Sequence, residues 1–226
     1  MGNAAPTLNP RRLAVPCGRA GLAQAQAWEL AAHVPRLTEG PLASGMSELR
    51  RRDFLLGRLA AARAIAQLGV PSRPVTRRGQ APHFGDDLRG SISHSHGLAV
   101  ALVVPATEAL GVGLDVELGR LSSRAANRIL AIDERRWVAQ ARDIHRASWR
   151  ATLLFSIKES TFKALSPSFE TPPSLGSVVV ECTHGTGPVR AHATFSSGGI
   201  LSSISLDIAW HGSGAAIISV AIFRST

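Results

Sequence analysis

The run GVGLDVELG, residues 111 to 119, constrains this chain more than any other stretch. It has the alternation of a buried strand, yet it carries two carboxylates, Asp115 and Glu117. Residues two apart on a strand share a side, so Val112, Leu114 and Val116 form one face and Gly113, Asp115 and Glu117 the other. Two like charges that close repel unless a cation stands between them or water solvates both. Oxygen ligands at this spacing suit Mg²⁺, which takes one or two carboxylates and fills its octahedron with water and phosphate oxygens. Mn²⁺ accepts the same donors. An edge strand with one solvated acidic face satisfies the pattern equally well.

Two further stretches bear on that choice. FSIKESTFKAL, residues 155 to 165, reads as a helix that places Glu159 and Lys163 four apart on one face, with Phe155 and Phe162 on the adjoining apolar side. By itself such a pair is ordinary surface chemistry, contributing a few tenths of a kcal/mol. GSISHSHG, residues 90 to 97, follows a glycine-rich turn and presents Ser93 and His94 to an anion. His94 and His96 make an H-x-H pair, but no third nitrogen or sulfur ligand stands out for a transition metal.

The rest of the chain reads as α+β. Ser47 to Gly69 is the clearest helix: Ser47 caps it, Glu48 favours its first turn, and Gly69 ends it with Pro71 beyond. Leu49, Leu56, Leu59 and Ile65 supply its apolar face, with Arg50, Arg51 and Arg58 elsewhere on its surface. Residues 21 to 34 suit a short helix or strand, and 70 to 90 a loop with a short strand. Residues 98 to 104 and 110 to 118 suit strands, and 122 to 140 and 147 to 165 helices. Four β-rich segments separated by Gly, Ser and Pro follow residue 177. A composition break near residues 105 to 110 suggests two halves, 1–108 and 109–226.

Bulk properties narrow the function. The 226 residues are 45% hydrophobic, enough for a sizeable core, and no apolar run approaches membrane-span length. The N-terminus lacks the apolar stretch of a signal peptide, and Cys17 and Cys182 read as reduced thiols of a cytoplasmic protein. A net charge of +9, mostly arginine, attracts polyanions of several kinds: nucleic acid, anionic lipid, phosphorylated cofactors or an acidic protein. With aromatics at 5% and no tyrosine, the stacking platform of a nucleic-acid binder is missing.

Taken in order, GSISH, GVGLDVE and FSIKESTFKAL resemble the 4′-phosphopantetheinyl transferases of the Sfp type, in the branch typified by the enterobactin-synthetase transferase. ELRRRDFLLGRLAA is similar to that branch's N-terminal arginine helix, so the resemblance runs from about residue 47 to 167. Where family members often carry Trp-Pro ahead of the Gly-Ser motif, this chain has Phe84-Gly85. The resemblance implies a pseudo-twofold fold of two similar α+β halves with the active site between them, in a monomer. It implies transfer of the phosphopantetheine arm of coenzyme A to a serine of an apo acyl or peptidyl carrier protein, releasing 3′,5′-ADP. Asp115, Glu117 and Glu159 would hold Mg²⁺ against the pyrophosphate, Glu159 would accept the serine proton, and Lys163 would reach the phosphates. Arg50, Arg58, Arg77 and Arg78 match positions that grip the coenzyme, and Ser93 and His94 would meet its 3′-phosphate side. Carriers of this kind serve fatty-acid, polyketide, nonribosomal-peptide and siderophore synthesis, and their acidic surfaces would be drawn to a basic enzyme. The rival readings are a relative that binds coenzyme A without catalysis, a basic nucleic-acid-binding protein, and a transition-metal hydrolase built on His94 and His96.

Overall fold

Residues 98 to 105, LAVALVVP, are buried throughout except for the last, and the architecture follows from covering both sides of that strand. The structure, a computed structural model, describes residues 13–30, 45–79, 81–169, 174–181, 190–197, 200–214 and 216–224. The chain start, residues 31 to 34 and Cys182 lie outside them.

Strand β5 (Leu98–Pro105) is the centre of an antiparallel three-stranded sheet, with β1 (Gly21–Gln26) on one side and β4 (Leu88–Ser95) on the other. One face of β5, Ala99, Ala101 and Val103, packs on helix α1 (Glu48–Gln67) through Leu56, Ala60, Ala64 and Ile65. Its other face, Val100, Leu102 and Val104, packs on a second sheet. That sheet has the order β6 (Gly111–Glu117), β10 (Ala216–Phe223), β9 (Ile200–Ser213), β8 (Arg190–Ser197) and β7 (Val178–Glu181). Val112, Leu114 and Val116 of β6 and Ile218, Val220 and Ile222 of β10 line the inter-sheet core. The opposite face of β10, with Ile217 and Ala221, carries a long helix, Ile144–Leu165. The layers therefore run helix, sheet, sheet, helix, an α+β architecture in which each sheet carries one long helix. A two-stranded ribbon, β2 (Thr76–Arg78) and β3 (Ala81–His83), occupies the segment expected to be mostly loop.

Between β6 and the long helix lie α2 (Ser123–Ile129) and α3 (Ile132–Ala139); the long helix is α4. The single helix expected over 122–140 is thus two. Leu130 is extended, with φ −82° and ψ 133°, and Glu134 reaches back to accept the Ala131 amide at 2.6 Å, starting a new helix. Helix α4 begins before the expected residue 147 because Asp143 caps it, its carboxylate accepting the Arg146 amide at 2.7 Å. Leu49 is 60% exposed rather than on the buried face of α1. None of the helices among the described residues is long and apolar enough to cross a membrane.

The two sheets meet where β4 runs alongside β6. Ser91, Ser93 and Ser95, two apart and so on one side of β4, accept the amides of Leu114, Val116 and Leu118 at 3.0, 3.2 and 3.3 Å. Three hydroxyls thereby satisfy the outer amides of β6 in place of a partner strand. The β4–β5 turn is His96-Gly97 with φ of 48° and 79°, the left-handed pair of a two-residue hairpin. His96 therefore serves the turn, with Nδ1 3.0 Å from the Ser95 hydroxyl, and is not paired with His94 on a strand face.

Candidate functional site

The acidic strand and helix α4 lie almost backbone to backbone. A Cβ added to Gly113 would stand 1.7 Å from the Ser160 carbonyl oxygen, and one added to Gly111 would stand 2.0 Å from that of Ala164. Only glycine fits such an approach, and the approach brings Glu159 and Lys163 of α4 beside Asp115 and Glu117 of β6.

Asp115 is 3% exposed. Its Oδ1 accepts from Lys163 Nζ at 2.7 Å and from the Ser93 hydroxyl at 3.0 Å. Lys163 also donates to the Leu114 carbonyl at 3.2 Å and to Ser93 Oγ at 3.3 Å, so its three protons are committed around Asp115. Asp115 Oδ2 is buried without a hydrogen-bond partner. The neighbouring acids show a shortage of positive charge. Burial, and then the Asp115 charge, push Glu117 up to about 7, with Lys163 only partly opposing and Glu159 adding to the rise. Glu159 is likewise raised, first by burial and then by Asp115, against the pull of Lys163. One lysine offsets one of three carboxylates here. Among the described residues no three acidic, histidine or cysteine side chains form a ready-made metal cage. The donor set nevertheless fits a hard cation: oxygen only, one buried oxygen unpartnered, and two carboxylates whose charged forms lack a partner.

About 500 Å³ of cleft opens between α1, β2 and β4, lined by Arg50, Asp53, Phe54, Arg58, Arg77 and His94 among others. Arg58 lies over the Phe54 ring at 4.5 Å and donates to the Thr76 carbonyl at 3.3 Å. Its Nε is buried without a partner, and burial together with the Arg77 charge pushes its guanidinium down to about 10. Two crowded arginines, one with an unfilled donor, make an anion site. His94 is 3.8 Å from Asp53, which Arg52 also contacts at 3.2 Å.

The residues singled out in the sequence thus fall into three places. Asp115, Glu117, Glu159, Lys163 and Ser93 come together at the seam. Arg50, Arg58, Arg77 and His94 line the cleft between α1, β2 and β4. Arg78 follows Arg77 on β2 and so points to the other side of the ribbon, into a separate cavity of about 510 Å³ with His83, Phe84, Arg89 and Phe169. Ser93 is 5% exposed and turned toward Asp115 and the Val116 amide. Sequence reasoning missed Asp53 and the glycines at 111 and 113. For the glycines a signal existed: small residues at alternate positions on the carboxylate side of the strand.

Two family models match the chain: the 4′-phosphopantetheinyl transferase N-terminal domain over residues 38–104, and the 4′-phosphopantetheinyl transferase superfamily over residues 111–216. The chain belongs to the 4′-phosphopantetheinyl transferase superfamily. The boundary between the two matches falls in the turn between β5 and β6, where the chain passes from one sheet to the other. The 4′-phosphopantetheinyl transferase Svp of Streptomyces mobaraensis is 37% identical over 125 residues, 52% of this chain and 49% of that protein. Enterobactin synthase component D of Salmonella typhi is 32% identical over 124 residues, 54% of this chain and 51% of its own length. The 4′-phosphopantetheinyl transferase PptT of Mycobacterium tuberculosis is 30% identical over 145 residues, 62% and 63% of the two chains. The matches thus span about half to two thirds of these relatives, and the transferase superfamily places both the acidic strand and helix α4 inside one matched unit.

Proposed function

We propose that this chain transfers the 4′-phosphopantetheine arm of coenzyme A to a serine of an apo acyl or peptidyl carrier protein, with Mg²⁺ or Mn²⁺ at Asp115, Glu117 and Glu159. The observation that carries the reading is the seam itself. Three carboxylates, one with a buried unpartnered oxygen and two whose affinity for protons is raised by burial, share a single lysine, and β4, which joins the seam through Ser93, lines the arginine cleft through His94. Coenzyme A brings a pyrophosphate and a 3′-phosphate, which meet the two needs. Asp115, Glu117 and Glu159 would hold a divalent ion, which would supply positive charge to offset that of the pyrophosphate oxygens.

The residues divide the work. Arg50, Arg58 and Arg77 hold the coenzyme phosphates in the cleft, with His94 at its edge. Asp115 is held rigid by Ser93 and Lys163. Glu159 takes the proton of the carrier serine; burial raises its affinity for protons above that of an ordinary carboxylate, the direction that favours a general base. The serine oxygen then bonds to the phosphorus that carries the pantetheine arm, the bond to the bridging oxygen breaks, and 3′,5′-ADP leaves. Lys163 balances the negative charge that collects on the leaving group. The +9 charge would draw an acidic carrier. The arginines of α2 and α3, with exposed Ile132 on α3, offer it basic and apolar side chains. The reading extends to a cytoplasmic monomer divided as 1–108 and 109–226.

Intact-mass spectrometry of apo carriers incubated with the protein, coenzyme A and Mg²⁺ tests this. The expected result is a gain of one phosphopantetheine arm, abolished by EDTA; no gain on fatty-acid, polyketide or peptidyl carriers, with no calorimetric coenzyme A binding, sinks the reading. A second expectation concerns the cleft. Arg58→Ala should raise KM for coenzyme A roughly tenfold or more while kcat changes little, the loss of one charge-assisted phosphate contact. An unchanged KM would remove Arg58 from the coenzyme site.

A further inference from the structure

Helix α4 contains a lysine that the proposed chemistry does not use. Lys158 is fully buried, a long cationic side chain among the apolar residues that make up most of the fully buried set. Its Nζ is 2.9 Å from Glu134 Oε1, and the two side chains are 0% and 1% exposed. Lys158 also donates to the Val178 carbonyl and, at 3.5 Å, to that of Leu175. Glu134 accepts the Val180 amide at 2.9 Å on Oε1 and the Ala131 amide at 2.6 Å on Oε2. The pair therefore ties α4 to the N-terminus of α3 and to edge strand β7, with its hydrogen-bonding capacity filled.

Such a pair adds little net stability. Desolvating two charges costs about what their attraction returns, and well-packed apolar replacements are often neutral or better. What it does supply is direction, because an ion pair with four backbone partners tolerates one geometry, whereas apolar contacts tolerate several.

That direction matters because of where Lys158 stands. Consecutive helical residues differ by about 100° around the axis. Lys158 and Glu159 therefore flank opposite edges of the face that α4 lays on the sheet. Between them that face carries Ser156, Ser160, Ile157 and Leu154, all buried. Its serines meet Ser219 of β10, at 2.8 and 3.2 Å, and Ser219 is the register partner of Asp115. A rotation of α4 that withdrew Lys158 from Glu134 would swing Glu159 relative to Asp115 and Glu117.

We infer that Glu134 and Lys158 are positioning residues: their buried ion pair sets the rotation of α4 and so aims Glu159 at the acidic strand. The inference rests on the transferase reading for its kinetic part, but not for its metal-binding part.

The test compares wild type, Lys158→Met, and the double variant Lys158→Met/Glu134→Gln. Three quantities are read: melting temperature, calorimetric Mg²⁺ affinity in the presence of coenzyme A, and steady-state kcat and KM on a carrier. Lys158→Met alone leaves a buried carboxylate unpaired and should melt far below wild type. The neutral double variant should recover most of that loss. Positioning predicts that it nonetheless binds Mg²⁺ roughly tenfold or more weakly, the usual penalty for losing an orienting partner, with kcat reduced in step and KM for coenzyme A unchanged. Recovery of metal affinity and kcat together with melting temperature would overturn the inference and leave the pair a structural tie. Should the double variant not fold, Lys158→Arg keeps the charge with a different head-group geometry and is judged by the same two outcomes. A wild type that neither binds Mg²⁺ nor loads any carrier would overturn the functional reading and this inference with it. A fully active double variant beside an active wild type overturns only the inference.

Discussion

Glu159→Gln is expected to cut phosphopantetheine transfer by roughly a hundredfold to ten-thousandfold, the range for removing a positioned general base. The substitution keeps the size of the side chain, so the packing of α4 is undisturbed. Without metal, Glu159 is a strained carboxylate, raised first by burial and then by Asp115. Its neutral isostere relieves repulsion at the seam, so the variant should melt at or above the wild-type temperature in EDTA. Mg²⁺ should stabilise it less than it stabilises wild type, since a ligand that binds only the folded state stabilises in proportion to its affinity. Mass spectrometry under single-turnover conditions and a thermal melt with and without Mg²⁺ check both halves. Near-normal turnover would remove Glu159 from the chemistry; a large fall in melting temperature would show that the loss of activity was a loss of fold.

The second large effect is expected at a residue with no chemistry at all. Gly113→Ala would place a methyl group 1.7 Å from the Ser160 carbonyl oxygen and 2.7 Å from the Ala164 amide nitrogen. Both are backbone atoms of the long helix α4, so no side chain can turn aside to make room. Either β6 or α4 must move, and overpacking of this severity should cost about 3 kcal/mol or more of folding stability. Whatever fraction folds would hold Glu159 and Lys163 farther from Asp115 and Glu117, so its Mg²⁺ requirement should rise as well. Urea unfolding measures the first effect and metal titration the second. Wild-type stability would mean that the strand and helix do not approach so closely. Gly214→Ala, at a turn residue with φ 59° and open space around it, serves as the control for backbone effects alone.

Much of the site was legible in the sequence because it depends on local periodicity. Alternation puts Asp115 and Glu117 on one side of a strand, and i, i+4 spacing puts Glu159 and Lys163 on one side of a helix. Order along the chain then points to the transferase family. The α+β class was legible for the same reason, and so were Ser47 as the cap of α1 and the β-rich C-terminal segments. What was not legible depends on which surfaces face each other. The break at Leu130 and Ala131 has no glycine or proline to announce it. It is made by Glu134, one of whose oxygens accepts the Ala131 amide at the start of its own helix while the other is claimed by the Val180 amide and Lys158, which lie in other elements. Ser93 reads as facing an anion, yet with Ser91 and Ser95 it spans the seam between two sheets. Arg77 and Arg78 read as one basic pair, yet they line different cavities because neighbours on a strand diverge.

By itself, then, the sequence determined the local geometry of each functional group and the family to which their order belongs, since strand and helix periods act over a few residues and need no partner. Only the tertiary structure decided the charge balance. Lys163 is the cation that Asp115 holds, Glu117 and Glu159 are left short of one, and Lys158 is withdrawn from the site into a buried pair with Glu134. Burial and separation across elements set those energies, and neither is written in the spacing of residues along a chain.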